Sequence, residues 1–292
     1  MKKLFSFIII CALMIAMGAP AFAVYNTQSR AVIGADLTAE QIELVYQAFG
    51  VFRGVAPELY VTNAEERMYL EGYVDEAIIG TRSISCVYVE LLPAGSGMDV
   101  KTSNITWCTP EMYISALATA GITDARVVVA APVAVSGTAG LTGVYKAYED
   151  LTGQKLDAVA KLVSTQELTI TGELAQEIGQ MDSTSIVSEL KTMLDYTKAM
   201  TDDQIRAQIE AIAGRYNVRL TETQIRQLIS LCRSLEGLDG DSLKQRVEGV
   251  QDTLSKVSTA KTQVVGFFQQ VKTLVTSIQS FIDKISDLLG LE

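Results

Sequence analysis

The sequence predicts an α/β head followed by an all-α helical region that ends in a long heptad-patterned helix. Three observations carry that expectation. Short β-rich segments alternate with amphipathic helices up to about residue 155, the pattern beyond is almost wholly helical, and an unbroken apolar heptad closes the chain. The expected organisation is a signal peptide at 1–23, an α/β domain at 24–155, and a helical domain at 156–292 whose terminal amphipathic helix covers 241–289.

At the N-terminus, Lys2 and Lys3 precede an apolar run at 4–17. Gly18 and Pro20 interrupt it, and Ala21-Phe22-Ala23 has the small-x-small form of a cleavage site, so export with cutting after Ala23 is expected. The run is shorter than the ~20 apolar residues that a spanning helix requires. The expected localisation is secreted or extracellular, at the cell envelope.

In the head, residues 30–35 read as a strand. Thr38 and Gln41 form a capping box that opens a helix, Ile42, Val45 and Phe49 give it an apolar face, and Gly50 can end it. A second helix is expected over 63–72. Segments 81–92 and 98–108 flank the turn-rich Pro93-Ala94-Gly95-Ser96-Gly97 and read as a hairpin. Pro110 at a first helical position starts a helix over 112–120. Residues 126–133 (RVVVAAPV) form a short buried strand by length and β-branching. A helix then begins near Thr138, carries Leu141, Val144, Tyr145 and Tyr148, and stops at Gly153.

Beyond residue 155, helices are expected over 156–177 and 184–200. Thr201 with Gln204 and Thr221 with Gln224 repeat the capping box, with Gly214 and Asn217 between them, which suggests a helical hairpin. From Leu243 the apolar positions step by four and three through Val247, Val250, Leu254 and Val257 to Leu289, broken only by Lys261. In its C-terminal half the stripe widens to a face made of Val264, Phe267, Phe268, Val271, Leu274, Val275, Ile278, Phe281, Ile282 and Ile285. Unbroken, such a helix would be about 70 Å long at ~1.5 Å per residue. Three uses compete for the face: packing within the chain, self-association or docking on a partner helix, and lying on a membrane surface. The sparse basic residues on its polar side disfavour the last.

Composition limits the chemistry. The chain has 292 residues and no histidine, which excludes imidazole-based triads, dyads and proton shuttles. Its 34 acidic against 24 basic residues, a net charge of -10, disfavour nucleic acid as a partner. No cofactor is implied, and scattered cysteines without CxxC spacing give no metal site. Cys86 and Cys108 would share side-chain parity in the expected hairpin, so a cross-strand disulfide and two buried thiols both remain open; Cys232 reads as a core residue. The small-ligand candidate is the Gly-rich turn at Ser136, Gly137, Thr138 and Gly140, leading from a strand into a helix. Amides at a helix start attract anions, although Ser136 or Thr138 reads more readily as a plain N-cap. The carboxylate neighbours Glu65/Glu66 and Asp75/Glu76 read as solvated surface, since adjacent helical residues do not face each other. Trp107 reads as core packing.

Four segments carry a resemblance: Gly34-Ala35-Asp36-Leu37-Thr38, Thr102-Ser103-Asn104-Ile105-Thr106, Ala120-Gly121-Ile122-Thr123-Asp124-Ala125, and the run from Ala131 through Pro132-Val133-Ala134-Val135-Ser136-Gly137-Thr138-Ala139-Gly140-Leu141-Thr142-Gly143-Val144-Tyr145-Lys146 to Tyr148. Together they resemble the YpuA-like family of secreted proteins from Gram-positive bacteria, a family of unknown function. The resemblance implies export and an envelope setting, and supplies no catalytic residues. Two functions remain: a non-enzymatic extracellular binding or structural module that meets an envelope component, or a histidine-free hydrolase attacking cell-wall polymer through carboxylates.

Overall fold

The computed structural model describes residues 28–72, 74–250 and 253–254. The leader segment and the face from Val264 to Ile285 lie outside them. Within the head the chain runs β1 (Ser29–Gly34), α1 (Ala39–Phe49), β2 (Glu58–Val61), α2 (Asn63–Leu70), α3 (Glu76–Ile79), β3 (Cys86–Leu91), β4 (Met98–Ile105), α4 (Pro110–Ala120), β5 (Ala125–Val135) and α5 (Thr138–Thr152). The strands form one mixed sheet in the order β2-β1-β3-β5-β4. The β1/β2 and β4/β5 pairs are parallel, whereas β3 is antiparallel to both its neighbours.

Strand alternation divides the core. Val127 and Val129 of β5 join Val32, Val87 and Val89 beneath α4 and α5. Val128 and Ala130 point the other way, with Ala31, Ile33 and Tyr88, and are covered by Ile42, Val45, Tyr46 and Phe49 of α1. Both faces being covered explains why 127–130 is a continuous apolar run rather than an alternating one.

The expected hairpin is not formed. β5 lies between β3 and β4, pairing Cys86 with Ala130 on one side and Met98 with Ala125 on the other. Cys86 consequently packs in the α1 cluster and Cys108 in the α4/α5 cluster, on opposite sides of the sheet; both are free thiols, and the disulfide option is corrected accordingly. Glu58–Val61 was not expected as a strand: it is four residues long and sits at the sheet edge.

The described residues after α5 contain α6 (Ala158–Ile178), α7 (Gln180–Thr192), α8 (Leu194–Thr197), α9 (Asp202–Arg215) and α10 (Glu222–Leu235), with helix again at 240–250. The single helix expected over 184–200 is two, divided at Met193. α6 serves two cores: Leu168 reaches the α4/α5 cluster, while Ile170 and Leu174 meet Ile186, Ile209, Leu228 and Cys232. The first positions of the C-terminal stripe, Leu243, Val247 and Val250, are buried against these same two clusters. No helix among the described residues is long and apolar enough to cross a membrane.

Candidate functional site

The carboxyl ends of β1 and β5, which run the same way, and the start of antiparallel β3 meet at one end of the sheet. Such strand ends favour ligands, because the chain turns there and the backbone polar groups of a new helix become available. A cavity of about 280 Å3 opens at this point, lined by Glu66, the 78–82 segment, Ile84, Ser85, Val135, Ser136, Thr138 and Ala139.

Its floor is the Gly-rich turn singled out above. Gly137 adopts φ +101°, and a side chain there would meet Ile105 and the Tyr113 hydroxyl. That hydroxyl donates to the Gly137 carbonyl and pins the turn. Gly137 is also the N-cap of α5, and no side chain caps this helix. The expectation that Ser136 or Thr138 caps it is therefore corrected. Ser136 Oγ donates to the Ile78 carbonyl (2.9 Å) instead, and Thr138 Oγ1 donates to Glu66 Oε1 (3.2 Å). Gly140, one turn into α5, is buried against Tyr113 and Val129, and its amide donates to the Gly137 carbonyl. Three of the four expected residues thus build the cavity or its floor, while Gly140 supports it from behind.

Glu66 was expected on the surface and is not. The Thr62–Glu65 capping box starts α2, whose buried stripe is Glu66 and Leu70. One residue earlier, Glu65 turns outward and pairs with Lys146. Glu66 is 1% exposed, and its Oε2 has no hydrogen-bond partner. Burial pushes its carboxyl up to about 7, against smaller opposing help from Thr138, Asn63 and Arg67. The helical spacing of Glu66 to Leu70 was the available clue, because i and i+4 share a face.

The rim is held from β1. Asp36 Oδ2 accepts from the Ser83 amide (2.7 Å), and Arg82 Nη2 donates to the Asp36 carbonyl (2.7 Å). The cavity therefore combines a buried carboxyl, four hydroxyl-bearing residues (Thr81, Ser85, Ser136 and Thr138), an uncapped helix start and an exposed guanidinium. That set can orient a small polar molecule. Among the described residues, Glu66 is the one carboxylate in its lining, and no group of acidic residues and cysteines could hold a metal ion.

The comparisons with known proteins agree with the resemblance read from the sequence. The chain belongs to the family described as protein of unknown function (DUF1002), matched over residues 33–257. It is 35% identical over 257 residues to the uncharacterized protein YpuA of Bacillus subtilis (strain 168), covering 84% of this chain and 88% of that protein. No solved structure matches it.

Proposed function

We propose that the chain is a secreted cell-envelope protein whose head is a non-enzymatic binding module, with the cavity at the start of α5 as its ligand site. The observation that carries this reading is Glu66, a buried carboxyl with an unpartnered oxygen in a lined cavity. Unsatisfied buried polar atoms are costly and need an explanation. The leader pattern at 1–23 supports export. The lack of histidine, which removes imidazole-based chemistry, supports binding over catalysis. We further propose that residues 156–292 are an all-α region, and that the stripe continuing past Val250 into Val264–Ile285 is its assembly face, offered to a second copy or a partner helix.

One observation favours the hydrolase instead. A carboxyl raised to about 7 suits a general acid. Carboxylate-based cleavage, however, uses a second carboxylate about 5 to 9.5 Å away, and the described cavity lining supplies one.

Sedimentation with purified cell-wall sacculi separates the two. The mature protein should pellet with the wall, Ser136→Val/Thr138→Val should pellet less, and no soluble sugar fragments should appear. Release of reducing ends by the wild type, abolished in Glu66→Gln, would establish the hydrolase. Equal pelleting of wild type and double variant would remove the cavity from the binding role.

A further inference from the structure

Arginines elsewhere in this acid-rich chain are neutralised: Arg67 pairs with Glu76, Arg126 with Glu90 and Arg233 with Asp202, each at 2.8 Å. Arg246, on the helix at 240–250, is different. Its Nε donates to the Ala118 carbonyl (2.9 Å) at the C-terminal end of α4, where a cation is favoured. Neither Nη has a hydrogen-bond partner or a carboxylate among the described residues, and neither is sealed from solvent. The side chain is partly buried, and burial holds the guanidinium below its usual value against a weaker opposing pull from Asp239. A cation that has lost water without gaining a counter-ion is costly, and an incoming anion relieves that cost.

Arg246 stands between two cavities. One, of about 380 Å3, also carries Asp157 and Asp239, which oppose an anion. The other, of about 520 Å3, lies between this helix and the 95–97 turn, and falls in the ~300–1,000 Å3 range of small-molecule sites. Such sites are mostly apolar, but this one is not. Three glycines apart, its described lining is Ser96, Thr123, Asp124, Gln245, Arg246 and Thr253. Asp124 is held in place: Oδ1 accepts from the Gly97 amide (2.8 Å) and Oδ2 from the Thr123 hydroxyl (3.0 Å). Each oxygen keeps a lone pair for a further donor.

A wall of donors and acceptors without an apolar side chain matches a ligand dense in hydroxyls. The open edge of the guanidinium matches an oxyanion through two parallel hydrogen bonds. A phosphate fills that edge and has a third oxygen for a lining hydroxyl, whereas a carboxylate has only two.

We propose that this cavity binds a small phosphorylated sugar or polyol, with the phosphate on the Arg246 Nη edge and the ligand's hydroxyls on Asp124, Thr123 and Gln245. The site is separate from the α5 cavity and goes beyond the role given to it.

The test is calorimetric titration of the full mature chain with glucose phosphate, glycerophosphate, glucose, glucuronate and inorganic phosphate. The two phosphorylated ligands should bind about tenfold tighter than the other three, and Arg246→Gln should remove that advantage. Arg246→Lys, which keeps the charge and loses the fork, should weaken them several-fold. Gln245→Ala/Thr253→Val should weaken glucose phosphate and leave inorganic phosphate unchanged. Arg219→Gln, exposed before α10, should change nothing. A thermal melt of each variant checks folding, and the Gln245/Thr253 variant decides if Arg246→Gln does not fold. Inorganic phosphate binding as tightly as glucose phosphate would overturn the sugar, and equal binding of glucuronate would overturn the phosphate. Binding untouched in a folded Arg246→Gln, or no binding of any probe, would overturn the site. Failure of the sacculus experiment alone would strike only the α5 reading.

Discussion

Glu66 places an ionisable group where water cannot reach it, and this has a measurable cost. Its folded-state value of about 7 lies above the ordinary 4.5. The protonated form is therefore favoured by folding, so the stability it provides is complete below about pH 4.5 and is lost as pH rises to about 7. The size is on the order of 3 kcal/mol. Glu66→Gln should remove that loss, so denaturant melts at pH 5 and pH 8 should differ less for the variant than for the wild type. The cysteines give a second residue-scale test. Burial raises Cys86, Cys108 and Cys232 to about 12, which leaves almost no thiolate at neutral pH. A thiol reagent should leave all three unmodified in the native chain and modify them in denaturant; rapid native labelling of any one would contradict its placement. Sequence located the turn at 136–140 because its glycines and hydroxyls are adjacent. It missed Glu66 because the facing partner, Thr138, is 72 residues away.

Elements whose signals are local were legible, and those defined by distant pairing were not. Thr38/Gln41, Thr201/Gln204 and Thr221/Gln224 each form the expected reciprocal cap. Three or four residues suffice to specify such a motif. Thr221→Ala should therefore cost about 1 kcal/mol by chemical denaturation, with little effect elsewhere. Strand order is a different kind of information. Two β-rich segments joined by the turn-rich Pro93-Ala94-Gly95-Ser96-Gly97 look like a hairpin, yet β5, arriving 20 residues later, takes the place between them. Helix contacts are equally remote. On α6, Gly172 lies against Trp107, and a Cβ there would come within 2.4 Å of the indole. Gly172→Ala should destabilise by about 1–3 kcal/mol. Because Trp107 is the lone tryptophan, its fluorescence should shift in the same variant. An unchanged spectrum together with unchanged stability would show that the helix and indole do not meet.

At the scale of the whole molecule, a buried ion pair between α6 and α7 is hydrogen-bonded to α4. Lys191 of α7 donates to Glu167 of α6 (2.9 Å) and to both the carbonyl (2.9 Å) and the hydroxyl (3.0 Å) of Ser115 on α4. Thr119 donates to the second oxygen of Glu167, and both charged side chains are 1% exposed. Removing one member strands the other without solvent. Lys191→Met should therefore cost about 3–5 kcal/mol, and Lys191→Met/Glu167→Leu should recover much of it in a double-mutant cycle. At the same scale, the mass in solution tests the proposed assembly face: a monomer at high concentration would exclude self-association. The arrangement also dictates a schedule for a chain delivered N-terminus first. β4 can find its neighbour only after residue 135 has emerged, and Ser115 waits still longer for its cation at 191. The sheet cannot close early, and the cation that holds Ser115 comes from α7, well beyond the last strand. Until α7 is made, α4 stays without that tie.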